Sequence, residues 1–306
     1  MVRTPGALFF STLIIFLTAA GGYSQGPSFR YPAANHSAID GTASFASADE
    51  AAGQPFYRNL LDGATASFRT WEIPLLVASV FTERQKAGNG LELPPLRLDE
   101  NISNGFSENA GRKTLGSLRP RYYPMLAAQA RFAGMVAIDI LNIQDYSPRS
   151  YTKMFRFQQA LYYNTVVTHL AKRNFNRYRP DRSDTQSFFS GHTSTAFATS
   201  TFLYLEARDF INGQARLHNQ QLPLFSPTAW KVVSFSALYG WAAYVGYSRI
   251  HDGKHYLSDV IVGAASGTLI SYLLYPHEQR PRKATRIKLG IVPMRETSGL
   301  ALSVNF

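Results

Sequence analysis

The sequence predicts an α-helical bundle that is followed by a short β-hairpin. Long stretches with helical spacing of apolar residues fill residues 121–280, and polar or proline-containing loops separate them. Near the C-terminus, apolar residues alternate with other residues on both sides of a turn, which is the pattern of two paired strands. We therefore expect an all-α fold with a small hairpin after it.

The first 24 residues have the pattern of a targeting signal. Arg3 precedes an apolar stretch of 14 residues, Ala7–Ala20, and small residues follow it. This stretch is shorter than the roughly 20 residues that a membrane-spanning helix needs. We predict a signal peptide at residues 1–24, cleavage after Ser24, and export to the periplasm or cell envelope.

Residues 25–120 form an N-terminal helical and loop region of unknown role. After a polar leader, helices are predicted over about Ala51–Gly63 and Thr65–Gln85. A connection rich in Gly, Asn and Pro then runs from Lys86 to Pro120. Connections of this length are uncommon inside a compact domain, so we expect a loop that faces the substrate.

Residues 121–280 are predicted to hold the helical bundle. The predicted helices cover Pro124–Asn142, Pro148–Arg173, Thr193–Ala207, Thr228–Tyr247 and Leu257–Tyr275. Three of them contain charge-free runs of 13, 17 and 16 residues, which are short for a membrane span. We expect an exported soluble or peripheral, membrane-associated protein, with an integral membrane protein as the alternative.

Residues 281–306 are predicted to form the C-terminal β-hairpin. Apolar residues alternate over Ile287–Ile291 and again over Leu300–Phe306, and the polar residues Arg295–Gly299 lie between them. The expected role is to cap the bundle. An outer-membrane sorting signal is the alternative.

The composition limits the chemistry of the chain. It contains no cysteine, which excludes disulfides, thiolate zinc sites and cysteine nucleophiles. Its formal charge of +11 suits anionic partners such as phosphate esters or lipid headgroups. Only 17% of the residues are charged and no Lys/Arg run occurs, so nucleic acid is not an expected partner.

The first segment that carries chemistry is basic. Lys172 and Arg179 are seven residues apart, about two helical turns, and would lie on one side of a helix that continued through both. Pro180 disfavours a helical backbone at Arg179 and ends the predicted helix. The alternative interpretation is a solvated basic helix end, where cations are favourable.

The second segment is Ser190-Gly191-His192, directly before an apolar helix. Ser190 is one residue that could cap this helix, and Gly191 would let main-chain N–H groups approach a ligand closely. Free N–H groups at a helix start bind anions, and His192 stands beside them. The alternative is a helix cap with a surface histidine.

The third segment contains Arg249, His255 and Asp259. A carboxylate four residues after a histidine could accept a hydrogen bond from one ring nitrogen and leave the other free to attack. Arg249 supplies a planar fork for phosphate. A metal site at His251, His255 and Asp259 is the alternative, but Gly253 weakens a helix there and nearby cations would repel a dication.

In this order, the Lys-x6-Arg-Pro, Ser-Gly-His and Ser-Arg-x5-His-x3-Asp elements resemble the superfamily of type 2 phosphatidic acid phosphatases, bacterial class A acid phosphatases and vanadium haloperoxidases. The resemblance covers about Tyr151–Tyr275. Phe189 and Leu257 depart from the family, which often has proline at these positions. The resemblance implies a helical bundle of the acid phosphatase/haloperoxidase type and a metal-independent phosphatase that forms a phosphohistidine.

The resemblance also implies a role for each residue of the three segments. The residues that would bind phosphate and stabilise the transition state are Lys172, Arg179, Ser190, Gly191 and Arg249. His255 would be the nucleophile and Asp259 would orient it. His192 would protonate the leaving oxygen and then activate water.

The implied substrate is a phosphate ester, with lipid phosphates and diphosphates at a membrane surface among the candidates. No cofactor is implied, because the cations take the place of a metal, and vanadate is an expected inhibitor. Two alternatives remain. One is a vanadate-dependent haloperoxidase, with vanadate as cofactor at His255, and the other is a non-catalytic phosphate or lipid-headgroup binder. No oligomeric state is predicted.

Overall fold

The computed structural model describes residues 55–68, 72, 90–106, 114–217, 225–277, 286–293 and 298–305. The described chain is mainly helical, as predicted. Its helices are α1 (Phe56–Ser67), α2 (Arg97–Gly105), α3 (Tyr123–Ile140), α4 (Pro148–Asn174), α5 (Gly191–Leu217), α6 (Pro227–His251) and α7 (Leu257–Leu274). Two short 3-10 helices, Leu115–Ser117 and Arg119–Tyr122, precede α3. The predicted signal peptide and most of the predicted helix at 65–85 lie outside the described residues.

Helix α5 lies at the centre of the bundle and packs against α4, α6 and α7. Aromatic rings fill the core between these helices. The ring centroid of Phe202 in α5 lies 5.1 Å from that of Phe157 in α4 and 5.0 Å from that of Tyr275, and all three side chains are buried. Large buried rings contribute much of the hydrophobic stabilisation of a core. Tyr275 follows the last residue of α7, so this core lies at the end of α7 remote from Leu257.

Helix α5 is longer than predicted, because it continues to Leu217 instead of ending at Ala207. The charged residues that follow Ala207 are accommodated by packing. Asp209 accepts a hydrogen bond of 2.7 Å from the hydroxyl group of Tyr275, and beyond it Ile211 and Ala215 are buried. Tertiary contacts therefore extend the helix past the point where its sequence becomes polar.

The helix that was predicted over Pro148–Arg173 does not continue through Arg179, so Lys172 and Arg179 do not share a helix. Helix α4 ends at Asn174. The next two residues, Phe175–Asn176, form a short strand β2 that pairs in parallel with β1, Leu91–Glu92. Lys172 is therefore on the last turn of α4, whereas Arg179 lies on the chain that follows β2.

The connection between Lys86 and Pro120 is also more ordered than predicted. Besides β1 it contains helix α2, and Asp99 in this helix accepts a hydrogen bond of 2.7 Å from the Ser258 hydroxyl group. Further along, a Cβ atom at Gly116 would lie 3.1 Å from the Cα atom of Val245, so this turn packs directly on α6. The described parts of the connection pack against the bundle, and the expectation that the connection faces the substrate stays a prediction.

Helix α7 is the one helix of the described chain with the length and composition of a membrane span. It has 18 residues and a mean hydropathy of 1.5, and 28% of these residues are buried. A single helix of this kind is weak support for a membrane span, since core helices of soluble proteins share the same length and hydropathy.

The predicted C-terminal hairpin is present. Strand β3 (Arg286–Pro293) pairs with β4 (Ser298–Asn305) in antiparallel register. The register places Ile287 opposite Val304, Leu289 opposite Leu302 and Ile291 opposite Leu300. The alternating apolar positions of the two predicted strands are thus direct partners in the sheet.

Candidate active site

One cavity of about 530 Å³ brings six of the eight predicted site residues together. They are Lys172, Arg179, Gly191, His192, Arg249 and His255. The other two, Ser190 and Asp259, are fully buried. They contact each other, because the main-chain nitrogen of Ser190 donates to the main-chain oxygen of Asp259 at 3.1 Å.

The two ring nitrogens of His255 have different partners. Nδ1 lies 2.7 Å from the main-chain oxygen of Ser187, which only accepts hydrogen bonds, so Nδ1 carries the proton in the neutral ring. Nε2 lies 3.3 Å from Nη1 of Arg179, which only donates. The lone pair of the neutral imidazole is therefore on Nε2, at the wall of the cavity.

The direct hydrogen bond predicted between His255 and Asp259 is absent from the structure. Nδ1 of His255 and Oδ2 of Asp259 are 3.9 Å apart. The spacing of four residues brings two side chains together only inside a helix, and His255 precedes α7, which begins at Leu257 as predicted. Oδ2 of Asp259 accepts hydrogen bonds from the main chain of Tyr256 at 3.0 Å and from the hydroxyl group of Ser187 at 2.5 Å. Asp259 thus acts on His255 indirectly, through its hydrogen bond with Ser187 and through its negative charge.

The surroundings of His255 keep its ring neutral. Burial lowers the pKa of His255 to about 4, and the charges of Lys172 and Arg179 act in the same direction, while Asp259 opposes them. At neutral pH the ring is consequently uncharged, which a nucleophilic nitrogen requires.

Two cations reach the cavity from the segment after β2 and from the end of α4. Nζ of Lys172 donates to the main-chain oxygen of Gln186 at 2.6 Å, and burial, with the neighbouring charge of Arg179, lowers its pKa to about 8. Lys172 is therefore mostly protonated at pH 7. Nε of Arg179 lies 2.7 Å from Oδ1 of Asp184, and Nη1 donates to the main-chain oxygen of Lys254 at 3.0 Å.

The third cation, Arg249, is held by the 3-10 helix Leu115–Ser117. Its Nη1 donates to the hydroxyl oxygen of Ser117 at 2.8 Å, and that hydroxyl group in turn donates to Asp252. Burial lowers the pKa of Arg249 to about 10, so the guanidinium stays charged at neutral pH. No local pattern predicts this contact, because Ser117 and Arg249 are 132 residues apart.

His192 lies in the first turn of α5 and lines the same cavity. Its burial, and then the positive charges of Arg249 and Arg121, hold its pKa well below the ordinary value. A bound anion would offset these charges and favour protonation of the ring. The arrangement therefore allows His192 to become an acid when phosphate is present.

The alternative metal site does not assemble. In the part of the chain that the structure describes, no group of three or more His, Cys, Asp or Glu side chains has a metal-binding arrangement. Helix α6 ends at His251, so the helical spacing assumed for His251, His255 and Asp259 does not exist. Nδ1 of His251 lies instead 3.2 Å from Oδ1 of Asp252.

Sequence reasoning missed Arg177, a buried residue that contacts the site. Its Nη1 lies 2.6 Å from Oδ1 of Asp259, and its side chain is 2% exposed. In an extended segment, residues two apart share a face. Tyr178 is exposed, whereas Arg177 and Arg179 both point inward. The alternation of inward and outward side chains that is expected in an extended segment after α4 could have identified Arg177 from the sequence.

Comparison with known proteins matches residues 155–283 to the sequence model of the PAP2 superfamily. Lipid A 1-phosphatase of Porphyromonas gingivalis is 35% identical over 109 residues, which are 36% of this chain and 20% of that protein. Phospholipid phosphatase 2 of Rattus norvegicus is 41% identical over 87 residues, 28% of each chain. The chain thus spans only 20% and 28% of the length of these two relatives.

Two solved structures show a weaker likeness. Aquifex aeolicus LpxE has a TM-score of 0.33 and 22% identity, with 60% of this chain and 88% of that chain covered. A transmembrane PAP2-type phosphatidylglycerolphosphate phosphatase from Bacillus subtilis has a TM-score of 0.35 and 17% identity, with 72% and 91% covered. The family match includes all eight predicted site residues.

Proposed function

We propose that the protein is a phosphatase of the PAP2 superfamily that hydrolyses phosphate monoesters of lipids, because residues 155–283 match the sequence model of that superfamily. The reaction forms a phosphohistidine on His255 and uses no metal ion. One observation carries the proposal. Nε2 of His255 has its lone pair at the wall of a cavity that three cations also line, while Nδ1 is bound to a main-chain oxygen.

In the first step, Nε2 of His255 attacks phosphorus and the bond to the alcohol oxygen breaks. His192 gives its proton to that oxygen, so the alcohol leaves without a negative charge. Nη1 of Arg179 is 3.3 Å from Nε2, so a phosphoryl group bound by this guanidinium would lie next to the attacking nitrogen. Fixed positive charges stabilise the additional negative charge of the transition state.

In the second step, water attacks the phosphorus of the phosphohistidine. His192, now neutral, takes a proton from this water, and the P–N bond breaks. The electron pair returns to Nε2 of His255, inorganic phosphate leaves, and both histidines are back in their starting states. The same imidazole acts as acid and then as base.

The charges of the cavity support the proposed independence of metal ions. Nη1 of Arg179 lies beside Nε2 of His255, and Lys172 and Arg249 line the same cavity. Together they supply the positive charge that metal ions supply in other phosphatases. Lys172, with a pKa of about 8, and Arg249, with a pKa of about 10, keep their charge at neutral pH despite their burial.

Two observations support a lipid phosphate as the substrate. The similar proteins include a lipid A 1-phosphatase and a phospholipid phosphatase. In addition, α7 carries several large apolar side chains that are more than half exposed, including Ile261 at 57% and Leu273 at 69%, and α6 carries Val232 at 58%. Exposed apolar side chains in such number favour a protein that works at a membrane surface. Export by the signal at residues 1–24 completes the proposed location in the periplasm or envelope.

The proposal is tested by measuring phosphate release from phosphatidic acid in mixed micelles, an isoprenoid diphosphate and p-nitrophenyl phosphate, each with and without EDTA. We expect release from at least the lipid ester, unchanged by EDTA and blocked by vanadate. The His255→Ala variant should release none.

Other outcomes would support other functions. Phosphate binding without release from any ester would indicate a binder. Activity that EDTA abolishes and Zn²⁺ or Mg²⁺ restores would contradict metal independence. Oxidation of bromide by peroxide with the vanadate-loaded protein would indicate a haloperoxidase.

A further inference from the structure

A cluster of three buried charges lies beneath the cavity. Nη1 of Arg177 is 2.6 Å from Oδ1 of Asp259, and Nη2 of Arg177 is 2.6 Å from Oδ2 of Asp99. All three side chains are at most 2% exposed. One guanidinium therefore joins α2, at Asp99, to the first turn of α7, at Asp259. Asp99 lies outside the region of the family match.

The cluster continues to the nucleophile through one residue, Ser187. Its hydroxyl group donates to Oδ2 of Asp259 at 2.5 Å, and its main-chain oxygen accepts from Nδ1 of His255 at 2.7 Å. The main-chain nitrogen of Ser187 donates to the main-chain oxygen of Arg177 at 3.0 Å. Ser187 is thus bound on one side by Arg177 and Asp259, and on the other side it fixes the ring of His255.

Asp99, at the far end of the cluster, is also held by hydrogen bonds. Oδ1 of Asp99 accepts from the main-chain nitrogen of Ser258 at 2.9 Å, and Oδ2 accepts from the Ser258 hydroxyl group at 2.7 Å. Burial opposes ionisation of Asp99, but the hydrogen bonds from Ser258 and the contact with Arg177 hold the pKa of its carboxyl group below its ordinary value. A buried charge that loses its partner is strongly destabilising, so the three groups hold one another in a single arrangement.

We infer that Arg177 and Asp99 are positioning residues that orient His255 through Asp259 and Ser187, an inference that rests on the proposed function of His255. Neither side chain lines the cavity in the described structure, so neither contacts the substrate. Their effect is to keep the peptide of Ser187 where its oxygen selects the Nδ1–H form of the imidazole. The rate of attack by Nε2 depends on that form.

Two conservative variants separate the contacts of the cluster. Arg177→Lys keeps the charge but cannot bind both carboxylates in a fixed fork. Asp99→Asn keeps the shape of the side chain, removes the charge at the far end and replaces one acceptor oxygen by an NH2 group that can only donate. For both variants we expect kcat for p-nitrophenyl phosphate to fall by about 10- to 100-fold with KM within a few-fold of wild type, because displacement of a reacting group slows attack without weakening binding.

The tautomer of His255 can be measured directly, without catalytic turnover. In protein labelled with ¹⁵N-histidine, the nitrogen shifts of His255 distinguish the two neutral tautomers, with His255→Gln used to assign the signals. We expect a single Nδ1–H form in wild type and a mixture of tautomers in both variants. Tyr275→Phe is the control, because it removes a buried hydrogen bond of 2.7 Å to Asp209 at the opposite end of α7. It should keep both the tautomer and kcat.

The outcomes of these experiments distinguish failure of the inference from failure of the proposed function. If both variants fold and keep the wild-type tautomer of His255 and the wild-type kcat, the inference is overturned while the phosphatase proposal stands. If the wild-type protein releases no phosphate, the proposed function is overturned, and the nitrogen shifts still decide whether Arg177 and Asp99 orient His255. A loss of kcat that Tyr275→Phe shares would show that general destabilisation is the cause and would also overturn the inference.

Discussion

The Nδ1 atom of His255 lies 2.7 Å from the main-chain oxygen of Ser187, and 3.9 Å from Oδ2 of Asp259. A main-chain carbonyl group cannot be removed by a side-chain substitution, and it stays a hydrogen-bond acceptor at every pH. The tautomer of His255 is therefore set by the backbone, and Asp259 contributes by holding Ser187 in place.

The first prediction concerns Asp259→Asn. Because Ser187 still selects the tautomer, we expect kcat to fall by about 10- to 100-fold, less than the roughly 10⁴-fold loss that follows when a carboxylate alone sets the tautomer of a catalytic histidine. The measurement is the steady-state rate with saturating p-nitrophenyl phosphate. His255→Ala, which has no nucleophile, is the reference for complete loss. A folded Asp259→Asn protein as inactive as His255→Ala would contradict the role assigned to Ser187.

The second prediction concerns stability in acid. His255 has a pKa of about 4 in the folded chain, mainly because of burial, and about 6.5 when unfolded. As the pH falls below 6.5 the unfolded chain takes up a proton that the folded chain does not. Folding stability is thus lost across this window, by about 1.4 kcal/mol per pH unit from this residue at most.

Urea unfolding at pH 7 and pH 5 measures this effect. The His255→Gln variant removes the titrating group and should lose less stability between the two pH values than wild type. An equal loss in both proteins would contradict the assignment of a buried, neutral imidazole.

The third prediction concerns the contact between α5 and α7. A Cβ atom at Gly267 would lie 2.0 Å from the main-chain oxygen of Ser194, which cannot move aside cheaply. Gly267→Ala should therefore lower the free energy of unfolding by about 1–3 kcal/mol or more. The control is Gly240→Ala, since a Cβ atom there meets nothing within 4 Å.

In the middle of a helix, Ala is more favourable than Gly by about 0.5–1 kcal/mol, so Gly240→Ala should stabilise the protein. Thermal unfolding of the two variants should move the transition in opposite directions. A Gly267→Ala protein as stable as wild type would contradict the close packing of α5 against α7 at Gly267.

The fourth prediction concerns Ser117, which accepts the hydrogen bond from Arg249. Ser117→Ala removes this partner, and we expect KM for the phosphate ester to rise by about 10-fold, the effect of losing one hydrogen bond to a charged group. The control is Ser226→Ala. It removes the cap of α6, where the Ser226 hydroxyl group accepts from Ala229 at 3.2 Å, and should cost about 1 kcal/mol of stability with KM unchanged. Equal KM values for wild type and Ser117→Ala would contradict the prediction.

Sequence reasoning located the bundle and the cavity residues because their signals are local. The five predicted helices between 121 and 280 exist, and Lys172, His192 and His255 line one cavity as part of the predicted set. Helical periodicity and short motifs depend on residues that are near one another in the chain, so they remain visible without a structure.

The parts that sequence reasoning missed depend on contacts between distant residues. Helix α2 has the sequence RLDENISNG, which favours loops, yet Asp99 binds Ser258 across 159 residues and holds the helix in place. Arg177 is of a residue type that is usually exposed. It is buried here because it forms ion pairs with Asp99 and Asp259. The start of α7 at Leu257 was predicted, but the contact of His255 with the main chain of Ser187, 68 residues away, could not be predicted from the spacing of His255 and Asp259.

The central claim is that His255 carries the phosphoryl group and His192 transfers protons. The decisive measurement is a rapid-quench experiment with a ³²P-labelled aryl phosphate on the His192→Ala and His255→Ala variants. An acidic phenol needs little of the about 10²- to 10⁴-fold help that a general acid gives. We expect His192→Ala to release a burst of phenol and to accumulate acid-labile label, and His255→Ala to show neither. A labelled protein recovered from His255→Ala would contradict the claim.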